Sequence, residues 1–176
     1  MTVPCTVVET ALGWVGLAAT DNGIIRSVLP MRTKEGVLHE MEIPTAVVDR
    51  LVEAPRNAVE TLSAYLRGDP VDLSDVPLDL GDVNPFFRGV YEVLADIHRG
   101  NTLTYQEVAR RVGNPRAARA VGGAVAKNPL APFIPCHRVV GSDGSLVGFS
   151  TEGGIILKRR LLEMEGVRFL GDRVVS

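Results

Sequence analysis

At Asn84-Pro85 the chain changes character, and few folds accommodate what lies on both sides of that point. Before it, Val3 to Val8 and Gly13 to Ala19 are strand-forming runs. Asp21-Asn22-Gly23 is a hairpin turn signal, and Ile24 to Leu29 continues as strand. From Thr45 to Leu66 the residues Val48, Leu51, Val52, Val59, Leu62 and Leu66 keep helical spacing, which Pro55 breaks or restarts. Arg67-Gly68-Asp69-Pro70 stops it, and the acidic stretch to Val83 reads as a connector. After it the texture is helical. Asn84 is an N-cap with Pro85 at the first helical position, and Phe86, Val90, Val93, Leu94 and Ile97 form an apolar stripe. The expected fold is an α/β N-terminal domain with a small antiparallel sheet, residues 1–80. A mainly helical C-terminal domain, residues 84–176, follows it and carries a helix-turn-helix and Cys136.

Charge divides at the same place. The net charge of −2 combines 6 basic and 13 acidic residues up to Val83 with 13 basic and 8 acidic residues from Asn84 on. Between Arg99 and Arg138, Arg99, Arg110, Arg111, Arg116, Arg119, Lys127 and Arg138 face a single acidic residue, Glu107. Such asymmetry suggests a polyanionic partner; the plain alternative is a solvated basic face.

A hydrophobic content of 45% in 176 residues suffices for a sizeable core. No run approaches the ~18 apolar residues of a membrane span. Met1 to Ala19 has no basic start and is interrupted by Glu9, unlike a signal peptide. A soluble cytoplasmic protein is expected, nuclear in a eukaryote, with no membrane partner. Cys5 and Cys136 do not make a disulfide framework. With His39, His98 and His137 they show no metal-ligand spacing, so no metal is expected.

Thr104-Tyr105-Gln106-Glu107 is a capping box opening a short helix that ends near Gly113, and Asn114-Pro115 restarts a helix running to about Lys127. The layout is that of a helix-turn-helix, also found in proteins that bind no DNA. The second helix is slender, since Arg116 to Ala126 holds almost no bulky side chain. Gly122 and Gly123 should each cost about 1 kcal/mol relative to alanine in a helix interior. Something is therefore expected to approach the backbone there. A neighbouring helix is the bland candidate, and a narrow minor groove entered by Arg119 the sharper one.

Ile134-Pro-Cys-His-Arg-Val-Val140 is the most informative segment. Pro129, Pro132 and Pro135 stiffen its approach, and a β-type run is expected to follow as far as the Asp143-Gly144 turn. Cys136 beside His137 and Arg138 is a candidate thiolate. A free thiol titrates near ~8.5, so full ionisation would raise the reactive fraction about 30-fold, worth about 2 kcal/mol. That is too little for alkyl transfer alone; positioning and protonation of a leaving group must add to it. If the segment is extended, His137 points away from Cys136 and reaches it only through a water.

The sequence resembles the O6-alkylguanine-DNA alkyltransferases from Asn84 to about Val167. The resemblance is carried by Thr104-Tyr105, Gly113-Asn114-Pro115, Ala118-Arg119-Ala120-Val121-Gly122-Gly123-Ala124 and Asn128-Pro129. It continues through Ile134-Pro-Cys-His-Arg-Val and the run from Lys158 through Leu161-Leu162 to Glu165-Gly166. It implies direct-reversal repair, in which Cys136 takes the alkyl group of O6-alkylguanine irreversibly, without a cofactor, with O4-alkylthymine open as a second substrate. By the same resemblance His137 takes the thiol proton through a water, Glu165 orients the imidazole, and Asn128 braces the helix pair against the active-site strand. Tyr105 rotates the phosphate and protonates guanine N3. Arg119 fills the gap left by the flipped base, on a surface of Ala118, Gly122 and Gly123. Val139 and Ser150 meet the guanine edges, and Phe149 and Ala131 line the alkyl pocket. The implied partner is duplex DNA with alkylated guanine, bound through the minor groove by a monomer.

Phe149 stands where the family usually has tyrosine, Thr151-Glu152 lengthens the pocket loop, and Ala131 replaces a common proline. The smaller Ala131 is expected to admit bulkier groups such as benzyl. Two other functions compete with repair. A protein that binds alkyl lesions without repairing them would replace the cysteine, whereas Cys136, His137, Asn128 and Glu165 are all present. A cysteine hydrolase or redox enzyme would leave the glycine-rich helix unexplained.

Overall fold

Two tight turns near the start of the chain fix the register of its sheet. The computed structural model describes residues 5–42 and 56–175. β1 (Cys5–Thr10), β2 (Gly13–Thr20) and β3 (Gly23–Met31) form an antiparallel sheet in the order β1-β2-β3. Thr10 pairs with Gly13 and Thr20 with Gly23, so two residues close each hairpin. Gly23 has φ 148°, and a Cβ there would stand 2.6 Å from the Pro77 carbonyl oxygen. Only glycine fits. α1 (Lys34–Glu40), capped by the Thr33 side chain, brings Val37 into a core with Cys5, Ala18, Val28 and Met41. Apolar spacing does not reveal this helix, because its seven residues bury only Val37 and Leu38.

α2 (Arg56–Arg67) buries Ala58, Leu62, Tyr65 and Leu66. The helical spacing expected from Thr45 to Pro55, and Val3 of the first strand, lie outside the described residues. The acidic connector is partly built in. Ile24 N–H donates to Pro77 O at 2.9 Å, Asp79 N–H donates to Ile24 O at 2.8 Å, and Leu73 and Val76 are buried. Pro129–Phe133 belongs to this unit, held by Ser27 N–H to Pro129 O at 2.8 Å and Ser27 Oγ to Ala131 O at 2.7 Å.

A second compact unit comprises Asp82–Asn128 and the described residues from Ile134 on. α3 (Pro85–Ala95) starts at the cap expected of Asn84, whose Oδ1 accepts from Phe86 N–H at 2.9 Å, and it buries Val90, Tyr91 and Leu94. β4 (Leu103–Thr104) leads straight into α4 (Tyr105–Arg111). The capping box forms there: Glu107 N–H donates to Thr104 Oγ1 at 3.2 Å, and Thr104 N–H donates to Glu107 Oε2 at 2.7 Å. α5 (Ala118–Ala126) begins later than the restart expected at Asn114-Pro115. The Pro115 carbonyl is taken at 2.5 Å by the Gln106 side-chain amide, and Ala117 N–H bonds Asn114 O at 2.9 Å, which closes a turn before the helix. β5 (Val139–Val140) pairs in parallel with β4, Leu103 facing Val139 and Thr104 facing Val140. α6 (Gly154–Met164) and a hairpin of β6 (Arg168–Leu170) and β7 (Arg173–Val175) complete the unit. Among the described residues no helix is long and apolar enough to cross a membrane.

Candidate active site

Pro135 lacks an N–H, and its carbonyl accepts from Arg138 N–H at 3.0 Å, while Cys136 N–H donates to Ile134 O at 2.8 Å. These bonds wind Cys136–Arg138 into one 3-10 turn, so the extended segment expected from Cys136 begins only at Val139, and strand pairing ends with Val140. The Cys136 and His137 side chains are both buried.

His137 Nε2 lies 2.9 Å from Glu165 Oε1, with both side chains fully shielded from solvent. The same carboxylate accepts from Arg138 Nη2 at 2.8 Å on Oε1 and from Arg138 Nε at 2.9 Å on Oε2. Arg138 Nη1 also donates to the Ile97 carbonyl just beyond α3. Burial works to raise the Glu165 carboxyl, but hydrogen bonds and charge from His137 and Arg138 outweigh it and hold it well below the usual range. Glu165 is thus an anion, and it fixes the imidazole proton on Nε2. Burial in turn lowers His137, against the opposing pull of Glu165, so the ring is neutral with a basic Nδ1.

Burial raises the Cys136 thiol above its ordinary value. The Asn128 side chain, Lys158 and the backbone N–H groups of Cys136 and His137 pull it back only in part. The thiolate expected from cationic neighbours is therefore not the resting form. Arg138 is committed to Glu165 and Ile97, and the thiol needs a base. Asn128 also donates to Ile134 O at 2.7 Å, which ties the end of α5 to the cysteine segment.

Two phenols lie within electrostatic reach of the sulfur. Burial, then a Cys136 thiolate, raises Tyr105 above its usual value and pushes Tyr91 up to about 12. Tyr105 Oη is 3.4 Å from Val147 O, and Tyr91 Oη donates to Ala124 O of α5 at 3.0 Å. Lys158 of α6 is wholly buried, and its Nζ donates to Val139 O at 2.6 Å and Val147 O at 2.7 Å. Phe149 is half-buried with its ring 5.8 Å from that Nζ, while Ser150 is exposed.

On α5, Val121, Ala124 and Val125 are buried, whereas Arg119, Gly123 and Ala126 share the exposed side and Ala118 is half-buried. A Cβ on Gly123 would meet nothing within 4 Å, and one on Gly122 would only touch Tyr105 Cε1 at 4.0 Å. Among the described residues Tyr105 at the start of α4 just reaches Gly122, and nothing comes within 4 Å of a Cβ on Gly123. Cys136, His137, Glu165, Asn128, Tyr105 and Val139 come together in this unit; Ala131 is buried in the first unit. Sequence reasoning missed the roles of Lys158, Arg138 and Tyr91. The signal for Lys158 was a lysine beside Leu157 on the helix face that continues with Leu161 and Leu162.

Residues 85–167 match the DNA-binding domain of the 6-O-methylguanine DNA methyltransferases. The chain is 36% identical over 158 residues to a methylated-DNA–protein-cysteine methyltransferase of Methanothermobacter thermautotrophicus, covering 90% of this chain and 82% of that protein. The solved O6-methylguanine methyltransferase of Mycobacterium tuberculosis shares its fold, with a TM-score of 0.74, 33% identity and 97% of both chains covered. The same organism's OGT, solved in complex with DNA, matches with a TM-score of 0.72 and 31% identity over 93% of this chain and 92% of that one. The chain belongs to the methylated-DNA–protein-cysteine methyltransferase family.

Proposed function

We propose that this chain repairs alkylated duplex DNA by direct reversal, moving the alkyl group of O6-alkylguanine onto Cys136. The observation that carries this reading is a buried thiol on the same turn as a neutral imidazole whose proton is pinned by Glu165. His137 Nδ1 takes the Cys136 proton through a water, and the anionic Glu165 stabilises the imidazolium that forms. The sulfur attacks the alkyl carbon, the S–C bond forms, and the C–O6 bond breaks with its electron pair passing into the purine. Tyr105 gives a proton to N3 of the departing guanine and regains one from solvent, to which the His137 imidazolium releases the proton it took from the thiol. The products are guanine and a thioether, which no group in the site reverses, so one molecule repairs one lesion. The sulfur is itself the acceptor, and no cofactor is required.

Access to the lesion follows from α4, its turn and α5, read as a helix-turn-helix in a C-terminal domain separate from the N-terminal sheet domain. Base flipping costs a few kcal/mol. Arg119 compensates by filling the vacated stack, while Ala118, Gly122 and Gly123 let α5 lie close in the minor groove. Val139, Phe149 and Ser150 meet the base in this unit, and the small Ala131, in the first unit, is a separate proposed determinant of tolerance for a benzyl group. The protein acts as a monomer.

Incubation with duplex DNA containing O6-methylguanine, followed by peptide mass analysis, tests this. One methyl increment on the Cys136 peptide per molecule is expected. Binding without an increment would identify a lesion-binding protein instead, and repeated turnover a different enzyme.

A further inference from the structure

Tyr91 lies on α3 beside Val90 and Leu94 with 2% of its surface exposed, where a phenylalanine would pack without burying a hydroxyl. A buried hydroxyl is unfavourable unless it is hydrogen-bonded. This one donates to the Ala124 carbonyl of α5 at 3.0 Å.

That carbonyl sits where α5 ends. In a continuing helix it would accept the N–H of Asn128, four residues on. Instead it accepts from Lys127 N–H at 3.1 Å, and Asn128 N–H turns to Val125 O at 3.3 Å. Two successive three-residue bonds tighten the last turn, and the phenol takes up the capacity they leave on Ala124 O. α3 also holds the next residue. The Phe87 ring, edge-on to Tyr91 at 6.3 Å, has the Lys127 ammonium 6.0 Å from its centroid. α3 thus fixes the point at which the chain leaves α5.

The residue that emerges there is Asn128, whose Nδ2 donates to Ile134 O at 2.7 Å. Burial raises the Cys136 thiol, and the Asn128 side chain is the strongest of the groups that pull it back. A hydrogen bond weakens steeply with distance and angle, so the sulfur senses where α5 stops.

We propose that Tyr91 is a positioning residue for alkyl transfer: its hydroxyl, by ending α5 at Ala124, holds the Asn128 amide in reach of the Cys136 sulfur. Resting on the alkyl-transfer reading, this gives α3 a part in the chemistry through α5. The titratable groups around the sulfur are Tyr91 itself, Tyr105 on α4, His137 on the turn and Lys158 on α6. Burial, then the Cys136 thiolate, pushes Tyr91 up to about 12, so at neutral pH it carries no charge to lose. Removing its hydroxyl leaves every charge near the sulfur in place, and a movement of the Cys136 titration then reports geometry.

The test uses Tyr91→Phe, which keeps the ring and removes only the hydroxyl, together with Asn128→Ala and the double variant. The Cys136 Cβ resonance in cysteine-labelled protein is followed against pH, and methyl transfer from O6-methylguanine duplex is measured in single turnover over the same range. In Tyr91→Phe the Cys136 midpoint should rise by about half a pH unit, a fraction of what a full hydrogen bond to a charged group contributes. Transfer should fall about threefold at neutral pH, following the smaller thiolate fraction, and recover as pH rises through the midpoint. In the Asn128→Ala background the same substitution should add no further shift, because the residue it positions is gone. Duplex affinity should not change, since Ala124 lies at the end of α5 away from Arg119. An unmoved Cys136 midpoint in Tyr91→Phe would overturn the proposal. So would a shift of equal size in both backgrounds, or a loss of transfer that is the same at every pH, which would make Tyr91 a structural support alone. If wild-type protein transfers no methyl group, the repair reading fails instead, while the Cys136 titration still decides whether Tyr91 positions Asn128.

Discussion

Glu165 holds His137 through Nε2 at 2.9 Å and receives Arg138 on both oxygens, so one buried carboxylate binds the two residues that follow the reactive cysteine. This arrangement decides which imidazole nitrogen is free to act as a base. An ionised Glu165 keeps the proton on Nε2 and leaves Nδ1 basic. It also explains why Arg138, adjacent in sequence to the Cys-His pair, does not serve the sulfur.

The Glu165→Gln substitution removes the anion that orients and stabilises the imidazolium. The new side-chain amide can still accept from Nε2 through its oxygen, but its NH2 group then opposes the Arg138 guanidinium. Single-turnover methyl transfer should fall about 100-fold, the lower end of a general-base contribution. Duplex affinity, measured by fluorescence anisotropy, should not change. An undiminished transfer rate would remove His137 and Glu165 from the mechanism.

The same pair makes the fold sensitive to acid. His137 is held neutral below its ordinary 6.5, and Glu165 stays ionised below its ordinary 4.5. Between those ordinary values and the lower ones of the folded protein, the unfolded chain binds more protons, so stability rises with pH. Stability should therefore be full above pH 6.5 and decline as pH falls, first through His137 and then through Glu165, by up to about 1.4 kcal/mol per pH unit for each group. Urea midpoints measured at neutral pH and in the acid range check this. Midpoints that stay level on acidification would mean that the imidazole is already charged in the folded state.

Much of the second unit was legible because its signals are local. The Asn84 cap and the Thr104–Glu107 box need only neighbouring residues, as does the two-residue turn at Asp21-Asn22 in the first unit, and each forms. Non-local bonds were not legible. Gln106 takes the Pro115 carbonyl and delays α5, Pro77 and Asp79 bind Ile24 and turn a connector into part of the first unit, and Lys158 reaches back to Val139. The turn at Cys136 belongs to the same class, since proline spacing gave stiffness but not the Arg138 bond that closes it.

The open space around Gly123 makes it a test of what α5 is for. Alanine there meets nothing within 4 Å and should stabilise the helix by about 1 kcal/mol. That corresponds to a melting temperature higher by ~2–4 °C. If α5 lies against a groove, the added methyl should weaken duplex binding even as the fold becomes more stable. Thermal melts and anisotropy titrations on one Gly123→Ala preparation separate the effects. Higher stability with unchanged affinity would place the DNA elsewhere.

Arg119 offers the sharpest division between chemistry and access. It is exposed on α5, with the buried side formed by Val121, Ala124 and Val125, so Arg119→Ala should change stability by no more than about 0.5 kcal/mol. The alkyl group of a free O6-alkylguanine base needs no flipping, and its transfer to Cys136 should proceed at the wild-type rate. In duplex the base must leave the stack, and if Arg119 fills the gap its loss should slow repair at least about tenfold, equivalent to ~1.4 kcal/mol. Measuring both substrates on the same variant gives a ratio that cancels differences in active fraction. A parallel loss on free base and duplex would put Arg119 in the chemistry, and no loss on either would remove it from lesion access.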